Sequence, residues 1–249
     1  MRIFLFSKRN IKEILRDPIN LFFSLGFPLV LLALLSIINS AIPPEAKNTM
    51  FQIQNLAPDL AMFGSVFMAL FAGMLLSKDR TSSFLTRLFT SPMTATDFIL
   101  GYTFPMIIMT VVQASITLLV AGIFGLDINT NIILAIIITA LTSLLFIGTG
   151  LFFGSLLNEK AVGGVCGALL TNIAGWLSGV FIPIDLIGGA FKAITNILPF
   201  YHSVEAIKLS LNGDFSNILP HLSIVMGYTG IIFVFAIITF NRKMAGEKA

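Results

Sequence analysis

The chain has 249 residues, of which 56% are hydrophobic and 11% are charged, with 24 Phe and a formal net charge of +3. A soluble domain typically carries roughly 25% charged residues, so the composition excludes a soluble protein and predicts an integral membrane protein. The length allows about six spans of ~20 residues with their loops, which leaves no room for a second, soluble domain. Cys166 is the only cysteine, and this excludes an intramolecular disulfide.

Residues 1–17 predict an amphipathic helix that lies along the membrane surface. Basic side chains alternate here with apolar ones such as Ile11 and Leu15, so the basic edge is expected to face anionic lipid headgroups. The apolar stretch 19–38 that follows is too long for the h-region of a signal peptide, and it is therefore interpreted as a retained first span. Pro28 is expected to bend this span.

Five further apolar stretches complete a predicted all-α fold with six spans: 58–77, 98–125, 132–157, 161–181 and 219–240. The second span is the weakest, and Asp59 is expected near the membrane interface, because a carboxylate at the bilayer centre is costly. If both termini lie in the cytoplasm, only three of the 15 Lys and Arg residues lie outside the cell, namely Lys47, Lys192 and Lys208. This positive-inside distribution predicts a multi-pass plasma-membrane protein, and it explains the slight positive charge without nucleic-acid binding.

A polar island at 78–97 interrupts the apolar sequence between the second and third spans. Its apolar residues recur at helical spacing behind three candidate N-caps, and the run ends at Pro92. These apolar residues are Phe84, Leu85, Leu88 and Phe89. A helix of about two turns is marginal alone in water, so its apolar face needs a partner surface. We expect this cytoplasmic helix to dock a protein.

The segment 182–218 precedes the last span and combines polar residues and glycines with apolar residues at helical spacing. An apolar pattern of about ten to fourteen residues suits a re-entrant or interfacial helix better than a crossing helix. The segment therefore predicts a hairpin that dips into the outer leaflet, with a partly structured external loop as the alternative.

Several motifs occur in a characteristic order along the chain. They are Leu88-Phe89-Thr90-Ser91-Pro92 in the island, Leu100-Gly101 at the third span, and the stretches 178–183 and 196–201. Together with the basic helix before the first span, they make the whole chain resemble the type-2 permeases of ATP-binding-cassette exporters, in the drug and polysaccharide export group. The island departs from the Glu-rich start frequent in that family, because Lys78 and Arg80 flank Asp79 here.

The resemblance implies a homodimer or heterodimer of six-span subunits, each with its island helix seated on a separate ATPase subunit. It also implies which residues contact that subunit: Arg80, Thr81, Phe84, Leu85, Arg87, Leu88, Phe89, Ser91 and Pro92. ATP and Mg are then bound by the partner, and this chain is expected to bind no cofactor or metal. The sequence is consistent with that division, since it has no G-x-x-x-x-G-K-[ST] loop and no charged residue near the middle of a span.

Polar residues inside the spans are few and suggest a largely apolar and aromatic substrate path. The candidate path residues are Gln113, Thr117, Thr142 and Asn172, with interhelical hydrogen bonding as their alternative role. Such a path favours a hydrophobic or amphiphilic cargo. Three glycine pairs predict close helix packing, either within one subunit or in a dimer: Gly150 with Gly154, Gly163 with Gly167, and Gly175 with Gly179.

The alternative function is a membrane-embedded enzyme that acts on lipid-like substrates at the outer face. Acid–base groups are present on that side: His202, His221, Asp185, Glu205 and Asp214. Their spacing matches no metal motif, and a helix-start role for His221 and an interfacial role for His202 are the simpler interpretations. A channel is disfavoured because the sequence shows neither a ring of charges nor a filter loop.

Overall fold

A computed structural model describes residues 2–43, 51–82, 84–85 and 93–246. Within these ranges the chain is helical and contains no β-strand. Six of the helices are long and apolar enough to cross a membrane. The predicted all-α membrane fold with six spans is therefore confirmed.

The helices follow one another in chain order with short connections. We number them α1 (Arg2–Ile14), α2 (Pro18–Ala41), α3 (Ile53–Thr81), α4 (Ala95–Ile123), α5 (Asn131–Leu156), α6 (Glu159–Leu177), α7 (Ile184–Ile187), α8 (Gly189–Ile197), α9 (Pro199–Asn212) and α10 (Ile218–Gly246). The spans are α2 to α6 and α10, and a 3₁₀ turn at Phe215–Asn217 precedes the last of them.

The second span, α3, is the central helix of the bundle. In its most apolar window 89% of the residues are buried, against 17% in the corresponding windows of α2 and α10. Small residues allow α5 to lie directly on α3, since a Cβ on Gly150 would be 2.0 Å from the carbonyl oxygen of Ala69. A Cβ on Gly154 would be 2.6 Å from the carbonyl oxygen of Gly73. The two backbones are thus in contact, which only glycine permits.

Two spans contain wider π-helical turns. In α2 this turn covers Phe22–Gly26 and lies directly before Pro28. Because Pro28 has no backbone N–H, it cannot make the usual bond to the residue four positions earlier, and a π-turn is one way to accommodate that loss. A longer π-segment, Gly163–Leu170, interrupts α6.

The ends of the spans differ from the bounds that hydropathy predicts. Helix α3 begins at Ile53 and runs through Lys78, Asp79 and Arg80 to Thr81, so the first part of the predicted island continues the span. Helix α4 begins three residues before the predicted span, at Ala95. Its start is fixed by a capping box in which the Asp97 N–H donates to Thr94 Oγ1 at 3.2 Å and the Thr94 N–H donates to Asp97 Oδ2 at 2.8 Å.

The bundle has two chemically different ends. The end formed by α1, the last turn of α3 and the first turns of α4 is called the basic end. The end formed by α7, α8 and α9 is called the hairpin end. The segment predicted as a re-entrant hairpin is helical, with α9 packed on α5 and α10. Its depth in the membrane, like the interfacial position of α1, stays a prediction.

Candidate functional site

Helix α1 is docked on the start of α4 through one face of the helix. Phe6, Asn10 and Ile14 recur every four residues, and all three are buried. The Asn10 amide donates to the carbonyl oxygen of Gly101 at 3.0 Å, and the Ser7 hydroxyl donates to the same oxygen at 3.2 Å. A Cβ on Gly101 would lie 2.4 Å from the Phe6 ring, so a glycine is needed for this approach.

A buried carboxylate, that of Asp79, joins three helices at this point. Arg9 of α1 donates two hydrogen bonds to it, one of 2.8 Å to Oδ1 and a second to Oδ2. The Tyr102 hydroxyl of α4 donates to Oδ2 at 2.8 Å. Asp79 is 2% exposed and Tyr102 is fully buried, so these bonds replace the hydration that the carboxylate loses.

A weaker ring of charges surrounds the buried carboxylate. Glu13 contacts Arg9 at 2.6 Å and the Lys78 ammonium at 3.1 Å. These pairs are partly solvent-exposed, and each is worth at most about 1 kcal/mol. Burial lowers the pKa of Arg9, but its hydrogen bond to Asp79 and the nearby negative charges raise this pKa overall. Arg9 therefore stays protonated beside Asp79.

The first residues of the island pack against the same docked helix. The Phe84 ring stacks on Phe6 with centroids 6.4 Å apart, and the guanidinium carbon of Arg9 lies 4.3 Å from the Phe84 centroid. Leu85 is fully buried. The part of the island that follows α3 is thus attached to α1 through Phe84.

Four of the nine predicted ATPase-contact residues are described, and all have partners within the subunit. Arg80 donates to the carbonyl oxygen of Leu157, just after α5, at 2.7 Å, and the Thr81 hydroxyl donates to the Ser77 carbonyl oxygen at 3.1 Å. Phe84 and Leu85 make the contacts given above. The other five lie outside the described residues: Arg87, Leu88, Phe89, Ser91 and Pro92. The ATPase contact itself stays a prediction.

The cluster of Phe6, Arg9, Asp79 and Tyr102 was not predicted from the sequence. Arg9 and Asp79 are 70 positions apart, and nothing in a single sequence pairs two charges over that separation. One signal was available: Asp79 follows directly on an apolar span, where an unpaired carboxylate is costly and calls for a cationic partner.

The candidate path residues Gln113, Thr142 and Asn172 make hydrogen bonds within their own helices. On α4 the Gln113 amide donates to Thr117 Oγ1 at 3.1 Å, and a Cβ on Gly64 would lie 2.2 Å from this amide nitrogen. Thr142 donates to the Thr139 carbonyl oxygen at 3.1 Å within α5. Asn172 is exposed on α6 and donates to the Ala168 carbonyl oxygen at 2.8 Å. These hydrogen bonds stay within single helices, so their part in a substrate path stays a prediction.

At the hairpin end, polar contacts join α9 to its neighbours. Lys208 forms an ion pair with Asp59 of α3 at 3.0 Å, and Asp59 is only 3% exposed. Asp59 is thus buried against a cation of α9. The Nδ1 atoms of His202 and His221 are 2.8 Å apart, and His202 Nε2 is 2.8 Å from the Asn196 carbonyl oxygen. In the described part of the chain, no three His, Cys, Asp or Glu side chains are grouped so that they could hold a metal.

The match to a known protein family includes residues from both ends of the bundle. The family model for the ABC-2 type transporter matches residues 1–211, from α1 to the end of α9. A comparison with curated proteins finds no significant match. The matched region contains five of the six spans, the buried Asp79 cluster and the island. The chain therefore belongs to the ABC-2 type transporter family and is a membrane-spanning permease subunit.

Proposed function

We propose that this permease subunit exports a hydrophobic or amphiphilic substrate, driven by ATP hydrolysis in a separate ATPase subunit that binds the island. The partner binds ATP and Mg, and a second permease subunit, identical or different, completes the transporter. One observation carries the proposal, namely that the residues entering the island are fastened to α1, α3 and α4 through Phe84, Arg9, Asp79 and Tyr102.

This arrangement supports transmission of force from the island into the bundle. A flexible connection would absorb a movement of the island, whereas a buried and hydrogen-bonded connection passes it on as a rigid unit. The helix that receives the movement, α3, is also the most buried span. A shift of its last turn therefore affects its contacts with α4, α5 and α6.

The sharpest test is Phe89→Asp, because it places a charge on the predicted apolar face of the island helix. We expect membrane insertion to be retained. Copurification with the ATPase subunit and stimulation of ATP hydrolysis should fall at least about tenfold, because burying one unpaired charge in the contact weakens binding. The matched control is Phe215→Asp at the hairpin end, where Phe215 is 56% exposed. Copurification and stimulated hydrolysis that survive Phe89→Asp would refute the docking assignment.

The proposed orientation, with both termini in the cytoplasm of a plasma-membrane protein, is tested by cysteine labelling. The native Cys166 is buried, and replacing it by Ala gives a background without thiols. In intact cells an impermeant maleimide should label a cysteine introduced at Asn48 and should not label one at Ser83. The opposite pattern would invert the topology, and the positive-inside argument would then be wrong.

A further inference from the structure

A cavity at the basic end lies between α1 and the last turns of α3. Its volume is about 760 Å³, within the range of small-molecule sites. One wall consists of α1 and the start of α2, and the other consists of Phe71, Met74, Leu75 and Lys78 of α3. Glu159 at the start of α6 completes the rim. Among the described residues of the island, Lys78 contributes to this lining.

The cavity carries basic side chains that the fold does not use. Arg9 and Lys78 line it, but both are engaged with Asp79 or Glu13. Lys8, Lys12 and Arg16 also line it, and they make no ion pair with any residue that the structure describes. Lys8 and Lys12, four residues apart, lie on one side of α1, and Arg16 follows in the turn after Ile14.

The acidic residues of the cavity are largely committed elsewhere. Glu13 bridges Arg9 and Lys78, at 2.6 Å and 3.1 Å. Asp17 caps α2, because its carboxylate accepts from the Asn20 N–H at 3.1 Å and from the Asn20 amide at 2.8 Å. Glu159 on the rim is the third acidic side chain of the lining. The lining also holds five cations, of which Lys8, Lys12 and Arg16 make no ion pair with any described residue, so the cavity has a net positive charge and is complementary to an anion.

The apolar part of the lining distinguishes a lipid from a small soluble anion. Leu5 is 57% exposed beside Lys8, and Met74 and Leu75 form the opposite wall. On its outer side α1 also exposes Phe4 and Leu15, by 73% and 57%, which favours contact with a membrane surface. A molecule with a phosphate and a hydrocarbon chain satisfies both parts of the lining.

We propose that this cavity binds one anionic phospholipid of the adjoining leaflet. Lys8, Lys12 and Arg16 hold the phosphate of the headgroup, and the acyl chain lies against Leu5 and Met74. The proposal does not depend on the ATPase partner. Because α1 forms one wall of the cavity and α3 the other, a bound lipid fastens α1 to α3 in addition to the Asp79 cluster.

The test uses the full permease chain without any ATPase subunit, taken from nanodiscs that contain equal amounts of phosphatidylglycerol and phosphatidylcholine. Native mass spectrometry should show about one phosphatidylglycerol retained per subunit. The variant Lys8→Gln/Lys12→Gln/Arg16→Gln should lower its retention at least about tenfold, since three cations near an anionic headgroup are removed. The matched control Lys160→Gln/Arg242→Gln/Lys243→Gln removes the same charge from exposed positions outside the cavity lining and should leave retention unchanged.

Three results would overturn the proposal. Equal loss in both triple variants would indicate a general surface-charge effect. Displacement of the lipid by 10 mM inorganic phosphate would indicate a free anion site. Saturating binding of an acidic peptide from the ATPase subunit, abolished by the cavity variant, would indicate a protein-docking surface. Should the triple variant fail to fold, Lys8→Gln and Lys12→Gln alone should each lower retention, and unchanged retention in both would also refute the site.

Discussion

Gly150 shows how strictly one residue can determine the packing of the bundle. A Cβ there would lie 2.0 Å from a backbone oxygen of α3, which no side-chain rotation relieves. We expect Gly150→Ala to destabilise the subunit by at least about 1–3 kcal/mol, the usual cost of overpacking. Thermal unfolding in detergent should show a lower melting temperature than in the unmodified chain.

The control for this substitution is Gly227→Ala on α10. Nothing lies within 4 Å of a Cβ at this position, and its helical backbone suits alanine. Its melting temperature should be unchanged or slightly higher. Equal melting temperatures of Gly150→Ala and Gly227→Ala would show that α3 and α5 are farther apart than described.

The glycine patterns were visible in the sequence, but their partners were not. The structure shows internal packing for Gly150 and Gly154, which belong to α5 and contact the backbone of α3. Gly163 has the same spacing pattern, yet nothing lies within 4 Å of a Cβ there. The glycine spacing indicates only that a helix permits close approach. Whether a second helix makes that approach depends on where it lies in the bundle.

Asp59 shows the same limit for a charged residue. From hydropathy it was expected near the membrane interface, and the structure buries it against Lys208. An interfacial position and a buried ion pair both reduce the cost of a carboxylate near a span, so the sequence alone did not distinguish them.

At the scale of the helix, the number and type of elements followed from composition, while their ends did not. Apolar runs of about 20 residues predict spans because every backbone polar group in a bilayer must be paired within the helix. Hydropathy does not report where the helix stops outside the membrane. Helix α3 therefore continues over the charged residues 78–81, which the polar composition assigned to the island.

The docking of α1 is tested by a double-mutant cycle with Arg9→Gln and Asp79→Asn. We expect each single substitution to lower stability by about 1–3 kcal/mol, since it leaves a largely buried group without its partner. The double substitution should cost less than the sum of both, because neither partner is then left alone. Hydrogen exchange of the α1 amides should be faster in all three variants, which would show that the lost stability concerns the docking of α1.

Glu13→Gln is the control for that cycle. Glu13 contacts the same Arg9, but its side chain is 29% exposed, so we expect a loss below about 1 kcal/mol and little change in α1 exchange. Unchanged exchange of α1 in Asp79→Asn would contradict the role given to the buried carboxylate. In that case the Phe6 contacts and the hydrogen bonds of Ser7 and Asn10 to Gly101 hold the helix.

At the scale of the whole molecule, the distribution of burial indicates which surface remains for a second permease subunit. Permeases of this family pair as dimers. Three spans are little buried within the subunit, α2 and α10 over 17% of their most apolar windows and α6 over 28%, and α6 leaves Leu169 and Trp176 about half exposed. In the part of the chain that the structure describes, nothing lies within 4 Å of a Cβ on Gly163 or Gly164 of α6. A helix that has both open glycines and exposed apolar side chains suits close approach of another helix.

We therefore expect Gly163→Leu to weaken dimerisation without destabilising the subunit. A Cβ at Gly163 has no neighbour within 4 Å among the described residues, so the melting temperature of the monomer should not fall. The dissociation constant in lipid bilayers, measured by energy transfer between labelled subunits, should rise roughly tenfold, which corresponds to about 1.4 kcal/mol of helix–helix contact. Gly227→Leu on α10 is the matched control and should leave the constant unchanged. If Gly227→Leu weakens the dimer and Gly163→Leu does not, the second subunit packs on α10, and the face of α6 is left to lipid.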